Sequence, residues 1–193
     1  MITIEIGQET KDKLESLYNS LGNIEDVPIH MKGLAEKVNF AVSDKYLDIM
    51  KTENTGPPHM LRGYDLLSWE NPTPEWDKII EQAKNIIDAD CAIFAYYPED
   101  GFIGWHDNSD APGYTILFSH SEDGDGFYRY IDARSKLKHT IDDKPGWTCK
   151  TGYYGKYPMN TFHCAKTSKP RWSIAFIIKK QHAWSKCINS IVN

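Results

Sequence analysis

Hydrophobic positions change their period near residue 90, and that change divides the chain. Before it, Ile2, Ile4 and Ile6 alternate with polar residues and predict a short strand over 2–6. Leu14, Leu17, Tyr18 and Leu21 then recur at helical spacing, with Gly22 placed to close the helix. Val38, Phe40 and Val42 alternate and predict a second strand, whereas Thr55-Gly-Pro-Pro-His59 fits only a loop. The clearest helix opens at Thr73-Pro-Glu, where Thr73 can cap and Pro74 suits the first helical position. Trp76, Ile79, Ile80, Ala83, Ile86 and Ile87 give that helix one apolar face down to about Ala89.

Beyond residue 90 the runs are short and strand-like: 91–97, 113–119, 126–131, 146–149 and 171–178. Turn chemistry separates them at Pro98-Glu-Asp-Gly101, Glu122-Asp-Gly-Asp-Gly126 and Asp143-Lys-Pro-Gly146. Ala183 to Val192 suggests a short closing helix. Short strands at near-regular spacing behind two helices predict an α+β, mainly β architecture, a sandwich or jelly roll with N-terminal buttressing helices. We expect one domain over 1–193, with 1–90 mostly helical support and substrate-side loops and 91–180 the jelly-roll core. Substrate selectivity would lie in residues 23–70 and the loops at 98–101 and 150–160, where Gly152-Tyr-Tyr-Gly155 reads as a surface loop or flap.

Composition narrows the classes. With 40% hydrophobic and 12% aromatic residues, the chain has the means to build a core and is not of the disordered type. Its apolar runs are too short to cross a bilayer, and Met1-Ile-Thr-Ile-Glu lacks a charged head before a long apolar stretch, so a cytoplasmic location without a membrane partner is expected. Cys91, Cys149, Cys164 and Cys187 form no CxxC pair, which argues against a zinc ribbon or disulfide framework and for free thiols. A net charge of -5 gives no broad attraction for nucleic acid, so strong duplex binding is not expected. Lys166, Lys169 and Arg171 are one example of a candidate local basic patch.

Histidines carry the candidate chemistry. His30, His59, His139 and His182 sit in loop-like or charged surroundings and read as surface side chains. His120, followed by Ser-Glu-Asp-Gly, reads as a turn histidine. His106, after Phe102-Ile-Gly-Trp105, and His163, before Cys164-Ala165, differ: each lies at the edge of an apolar strand. Two imidazoles from distant strands can meet in the mouth of a barrel. A facial-triad iron site needs two imidazoles and one oxygen ligand, with the opposite face open. Its near pair comes as His-x-Asp, because residues two apart on an extended chain point the same way. A later Arg and hydroxyl can hold a dicarboxylate, and Arg171-Trp-Ser173 puts both on one strand face. Trp105, Trp147 and Trp172 read as core, although Trp105 borders the histidine. Arg129 is either a surface partner for an acid or a holder of an anionic substrate.

Over residues 91 to 178 this pattern resembles the iron(II)- and 2-oxoglutarate-dependent dioxygenases. Tyr97, nine residues before His106, falls where the alkylation-repair (AlkB-like) branch has a tyrosine contacting 2-oxoglutarate, although Ala95 stands where that branch tends to have asparagine. Asp123-Gly-Asp-Gly126 is similar to a turn of the prolyl-hydroxylase branch. His163, Arg171 and Ser173 match the distal His followed by Arg-x-Ser. The resemblance implies a double-stranded β-helix, Fe(II) on His106 and His163, and a 2-oxoglutarate carboxylate on Arg171 and Ser173 with Tyr97 assisting. Tyr114 is either a further contact on the co-substrate or simply a half-buried strand aromatic. It also implies O2 consumption, hydroxylation of a C–H bond and release of succinate and CO2. The substrate is open among a small molecule, a nucleobase and a protein side chain. One departure stands out: two positions after His106 is Asn108, not a carboxylate. Asn108 can ligate through its amide oxygen, Asp107 can swing in, or water or an anion can fill the place. Alternation favours Asn108. The rivals are a non-catalytic jelly-roll binding module and a cupin-type metalloenzyme without 2-oxoglutarate.

Overall fold

The structure is a computed structural model describing residues 1–20, 35–53, 62–63, 65–66, 74–87, 89, 92–109, 111–156 and 159–193. The expectations for Leu21, Gly22, His30, the Thr55–His59 loop, Thr73, Cys91 and the side chain of Trp76 lie outside the described residues. In chain order the strands are β1 (Ile2–Ile4), β2 (Arg62–Gly63), β3 (Asp65–Leu66), β4 (Ala92–Tyr97), β5 (Phe102–His106) and β6 (Gly113–Ser121). They continue as β7 (Gly126–Ile131), β8 (Lys138–Asp142), β9 (Gly146–Tyr154), β10 (His163–Thr167) and β11 (Arg171–Ile178). The helices are α1 (Gln8–Ser20), α2 (Ala35–Ala41), α3 (Asp44–Glu53), α4 (Pro74–Lys84) and α5 (Gln181–Val192).

The strands form two antiparallel sheets, ordered β1-β9-β6-β11-β4-β3 and β2-β5-β10-β7-β8. Within them, β4-β11-β6-β9 and β5-β10-β7-β8 make a double-stranded β-helix, the jelly roll expected from the sequence. Alternation decides what each face buries. Phe94, Ile116, Phe118, Trp172, Ile174 and Phe176 pack outward from the six-stranded sheet onto Leu14, Leu17, Ala83, Ile87, Cys187 and Ile191 of the chain's helical segments and their flanks. Each fully buried side chain of this kind contributes about 1.5–3 kcal/mol. The other sheet is covered differently: Val42, Tyr46, Leu47 and Met50 pack on Trp105 and Cys164.

Turn chemistry is as anticipated. Gly124 and Gly146 take φ of 70° and 79°, and Asp100 tolerates 57°. Four details differ from expectation. Residues 35–41 are helical, not a strand. Val38, Ala41 and Val42 are buried while Phe40 is 39% exposed, so the apolar residues follow the three-to-four spacing of a helix. The Gly152–Tyr154 segment is no flap, because it continues β9 and pairs with β6. The exposed β8 had no apolar run to announce it. The basic patch also dissolves: Arg171 is buried, Lys169 lies 3.6 Å from Glu99, and Lys166 donates to Asn39. Among the described residues no helix is long and apolar enough to cross a membrane. Cys149, Cys164 and Cys187 are buried thiols outside any disulfide, and burial pushes the Cys164 thiol up to about 12.

Candidate metal centre

His106 and His163 are direct register partners on β5 and β10, with ring centroids 4.1 Å apart. A β-bulge brings this about. His163 pairs with His106 and Ala165 with Ile103, so three steps along β5 match two along β10. Without the extra residue at Gly104-Trp105, Ile103 and His106 would face opposite sides. With it, Ile103 joins the cluster between the sheets while Trp105 turns outward to Cys164. Trp105 therefore belongs to the outer core and not to the site's wall.

Both imidazoles are oriented by the backbone. His106 Nδ1 donates to Gly104 O at 2.8 Å, and His163 Nδ1 to Thr161 O at 3.0 Å. A carbonyl only accepts, so Nδ1 carries the proton in each ring, and a neutral ring then keeps its lone pair on Nε2. Both histidines are buried, and burial together with His106 lowers His163 well below its ordinary range, which keeps it neutral. Tyr154 stacks on His163 at 4.5 Å and Tyr128 at 5.6 Å, and the two phenols share a 2.6 Å hydrogen bond. Burial raises both phenols, so they stay protonated.

The oxygen-ligand candidates part company. Asp107 is buried, but its Oδ1 accepts from the Ser109 N–H at 3.1 Å and the Ser109 hydroxyl at 2.7 Å. Its Oδ2 accepts from Asn160 Nδ2 at 2.5 Å. Asp107 thus builds the turn that ends β5 and fastens it to the segment before β10. Asn108 lies within that turn, half-buried, its carbonyl accepting the Ala111 N–H at 3.0 Å. The amide of Asn108 has no hydrogen-bond partner among the described residues. No group of three His, Cys, Asp or Glu side chains gathers as a metal site among the described residues.

The predicted anion holders do converge. Tyr97 is the register partner of Arg171, and the guanidinium lies 4.3 Å from its ring centroid. Ser173, two residues on, faces Ser119 with the hydroxyls 3.4 Å apart. Tyr114 does not join them. Even positions of β6 point to the helices, and Tyr114 stacks on Trp184 at 5.0 Å. His120 follows the same parity inside β6, against Tyr18 and Trp147, so it is a strand residue rather than a turn histidine. Arg129 lies over Phe127 at 3.9 Å and donates to Thr140. His139 stacks on Tyr130, and His182 is exposed on α5.

Sequence reasoning missed Asp143 and Lys150. Asp143 Oδ2 accepts from Arg171 at 2.8 Å and its Oδ1 from Lys150 Nζ at 2.9 Å, with all three side chains at most 3% exposed. Burial works against the Asp143 carboxylate, yet Arg171 and Lys150 outweigh it and hold its pKa low. The signal was present: Lys150 is a charge within an otherwise strand-like run, and interior charges need partners.

No family model matches the chain, and no curated protein matches it. Among solved structures, it is similar to a prolyl-4-hydroxylase from Pseudomonas putida, with TM-score 0.41 and 14% identity over 76% of this chain and 88% of that one. It is also similar to a 2OG-Fe(II) oxygenase family oxidoreductase from Burkholderia pseudomallei, with TM-score 0.39 and 10% identity over 76% and 89%. The CENP-C cupin domain from Drosophila melanogaster gives 0.34 and 6% over 70% and 99%.

Proposed function

We propose that the chain is a non-haem iron oxygenase that uses 2-oxoglutarate to hydroxylate a C–H bond of a small molecule, nucleobase or protein side chain. One observation carries the reading: two buried imidazoles from different strands, both fixed as the Nδ1-H tautomer, with their rings 4.1 Å apart. Neutral imidazoles with bound Nδ1 protons fit a divalent metal. Asn108 is the oxygen donor best placed in sequence to complete the set, since Asp107 is spent on Ser109 and Asn160. Two imidazoles and an amide make a neutral, weaker site than one with a carboxylate. Bound iron would supply dioxygen activation. The protein's own part is to orient the imidazoles through Gly104 and Thr161, and to keep water out with Tyr128 and Tyr154. For the co-substrate, Tyr97, Arg171 and Ser173 share one face of the barrel, although Arg171 is already paired with Asp143.

Cobalt(II), stable in air, tests the centre through its visible spectrum. We expect one ion per chain, lost in His106→Ala and in His163→Ala, and iron-dependent succinate release from 2-oxoglutarate in the unmodified protein. An absence of metal binding overturns the reading. A second reading, a jelly roll that binds without catalysis, draws support from the diversion of Asp107 and from the Asp143–Arg171 pair. Metal binding without any succinate release would favour it.

A further inference from the structure

Arg171 is the residue through which an external carboxylate would be held, and the barrel already contains a carboxylate on it. Asp143 Oδ2 accepts from Arg171 at 2.8 Å while its Oδ1 accepts from Lys150 at 2.9 Å. The Tyr97 ring covers the guanidinium at 4.3 Å. We propose that Asp143 is an internal carboxylate occupying the anion subsite of Arg171, so that an external carboxylate binds there in competition with it. The inference rests on the preceding reading, in which a carboxylate co-substrate enters beside the two histidines.

Three features support a made place rather than a chance contact. The backbone presents Asp143 deliberately: its N–H donates to Gly126 O at 2.9 Å just past the end of β8. Gly126 leaves the room, because a Cβ there would lie 2.7 Å from Asp143 Oδ2. The charge balance is also incomplete. An ammonium, a guanidinium and one carboxylate leave a net positive charge in a buried place, and Arg171 Nε is buried with no hydrogen-bond partner among the described residues. A buried, uncompensated cation with an idle N–H is a site that a further oxyanion stabilises. Asp143 therefore fills the subsite without exhausting it, and sets how tightly a competitor is held.

The test is calorimetric titration of the full chain, metal-free, with glutarate and 2-oxoglutarate. Asp143→Asn keeps the shape, removes the carboxylate charge from Arg171 and should tighten both ligands by roughly tenfold or more, the scale of a charge-assisted contact. Asp143→Asn with Lys150→Met removes the competing carboxylate while returning the net charge to its original value, and should still bind more tightly than the parent. Unchanged or weaker binding in the single variant overturns the proposal. Loss of the gain in the double variant also overturns it, because charge alone would then explain the effect. Where the single variant folds poorly, thermal unfolding of Asp143→Ala in acetate against chloride at equal ionic strength decides. Acetate should raise the unfolding temperature of the variant and not of the parent, and no acetate effect counts against us. Cobalt binding to the histidine pair is measured separately, so failure of the subsite and failure of the metal centre are distinguishable.

Discussion

The two faces of the six-stranded sheet follow opposite rules. On the helix side of β11, Trp172, Ile174, Phe176 and Ile178 are at most 3% exposed and belong to the main hydrophobic cluster. On the inner side the same strand carries Arg171 and Ser173, also buried, facing Tyr97, Asp143 and Ser119. One strand thus divides two tasks by parity. The outer residues supply area removed from water, and the inner ones hold ionisable groups that a core built only for stability would replace with hydrocarbon. A buried ion triad is weak evidence for stability and better evidence for a task.

The sharpest way to break this comparison is to delete one residue from each side of β11. Phe176→Ala should cost about 3–5 kcal/mol in urea unfolding, the usual toll for emptying a packed aromatic site. Ser173→Ala should cost no more than about 1.5 kcal/mol, because a 3.4 Å hydroxyl contact is all it loses. Equal losses would mean that the inner face is as structural as the outer one.

A second measurement asks whether the triad still contributes through its charges. Burial raises the Asp143 carboxyl, but Arg171 and Lys150 more than offset this, so its folded pKa lies below its unfolded one. Such a group stabilises the fold above the ordinary carboxylate value, about 3.9, and the contribution fades as pH falls through the lower folded value. The urea midpoint should therefore fall on acidification, less steeply in Asp143→Asn than in the parent. Identical acid limbs would remove Asp143 from the account.

Much of this was legible in the sequence, for reasons that also explain what was not. β4, β6 and β11 are long apolar runs bounded by Gly, Pro and Asp, and alternation correctly put Arg171 and Ser173 on one face. The same rule misled where its premise failed. The Val38–Val42 pattern satisfies period two and an i, i+4 helical pair alike, and the burial of Ala41 with the exposure of Phe40 separates them. Tyr114 could be a co-substrate contact or a half-buried strand aromatic, and a β6 strand reaching from Gly113 to Ser121 fixes it on the helix side. Asp143 sits in a turn by composition, so nothing local shows that its carboxylate folds back onto a strand of distant sequence. Pairing of His106 with His163 depended on a bulge at Gly104, which a lone glycine in a strand suggests without specifying.

The DN pair after His106 gives the two smallest and most discriminating predictions. Asn108→Asp adds a carboxylate where the amide stands, and should tighten cobalt or iron binding by roughly tenfold, about 1.4 kcal/mol. No gain would mean that the turn carries residue 108 away from the imidazoles. Asp107→Asn is the contrasting case. Its carboxylate accepts from Ser109 and Asn160, so the change should loosen that turn by about 1 kcal/mol, within the range of a lost hydrogen bond. Metal affinity should then stay within about twofold, since residues outside the coordination shell that do not orient a ligand have little hold on it. A large loss of metal in Asp107→Asn would return the third ligand to Asp107. The two neighbours would then exchange roles, with Ser109 and Asn160 orienting a ligating carboxylate instead of closing a turn.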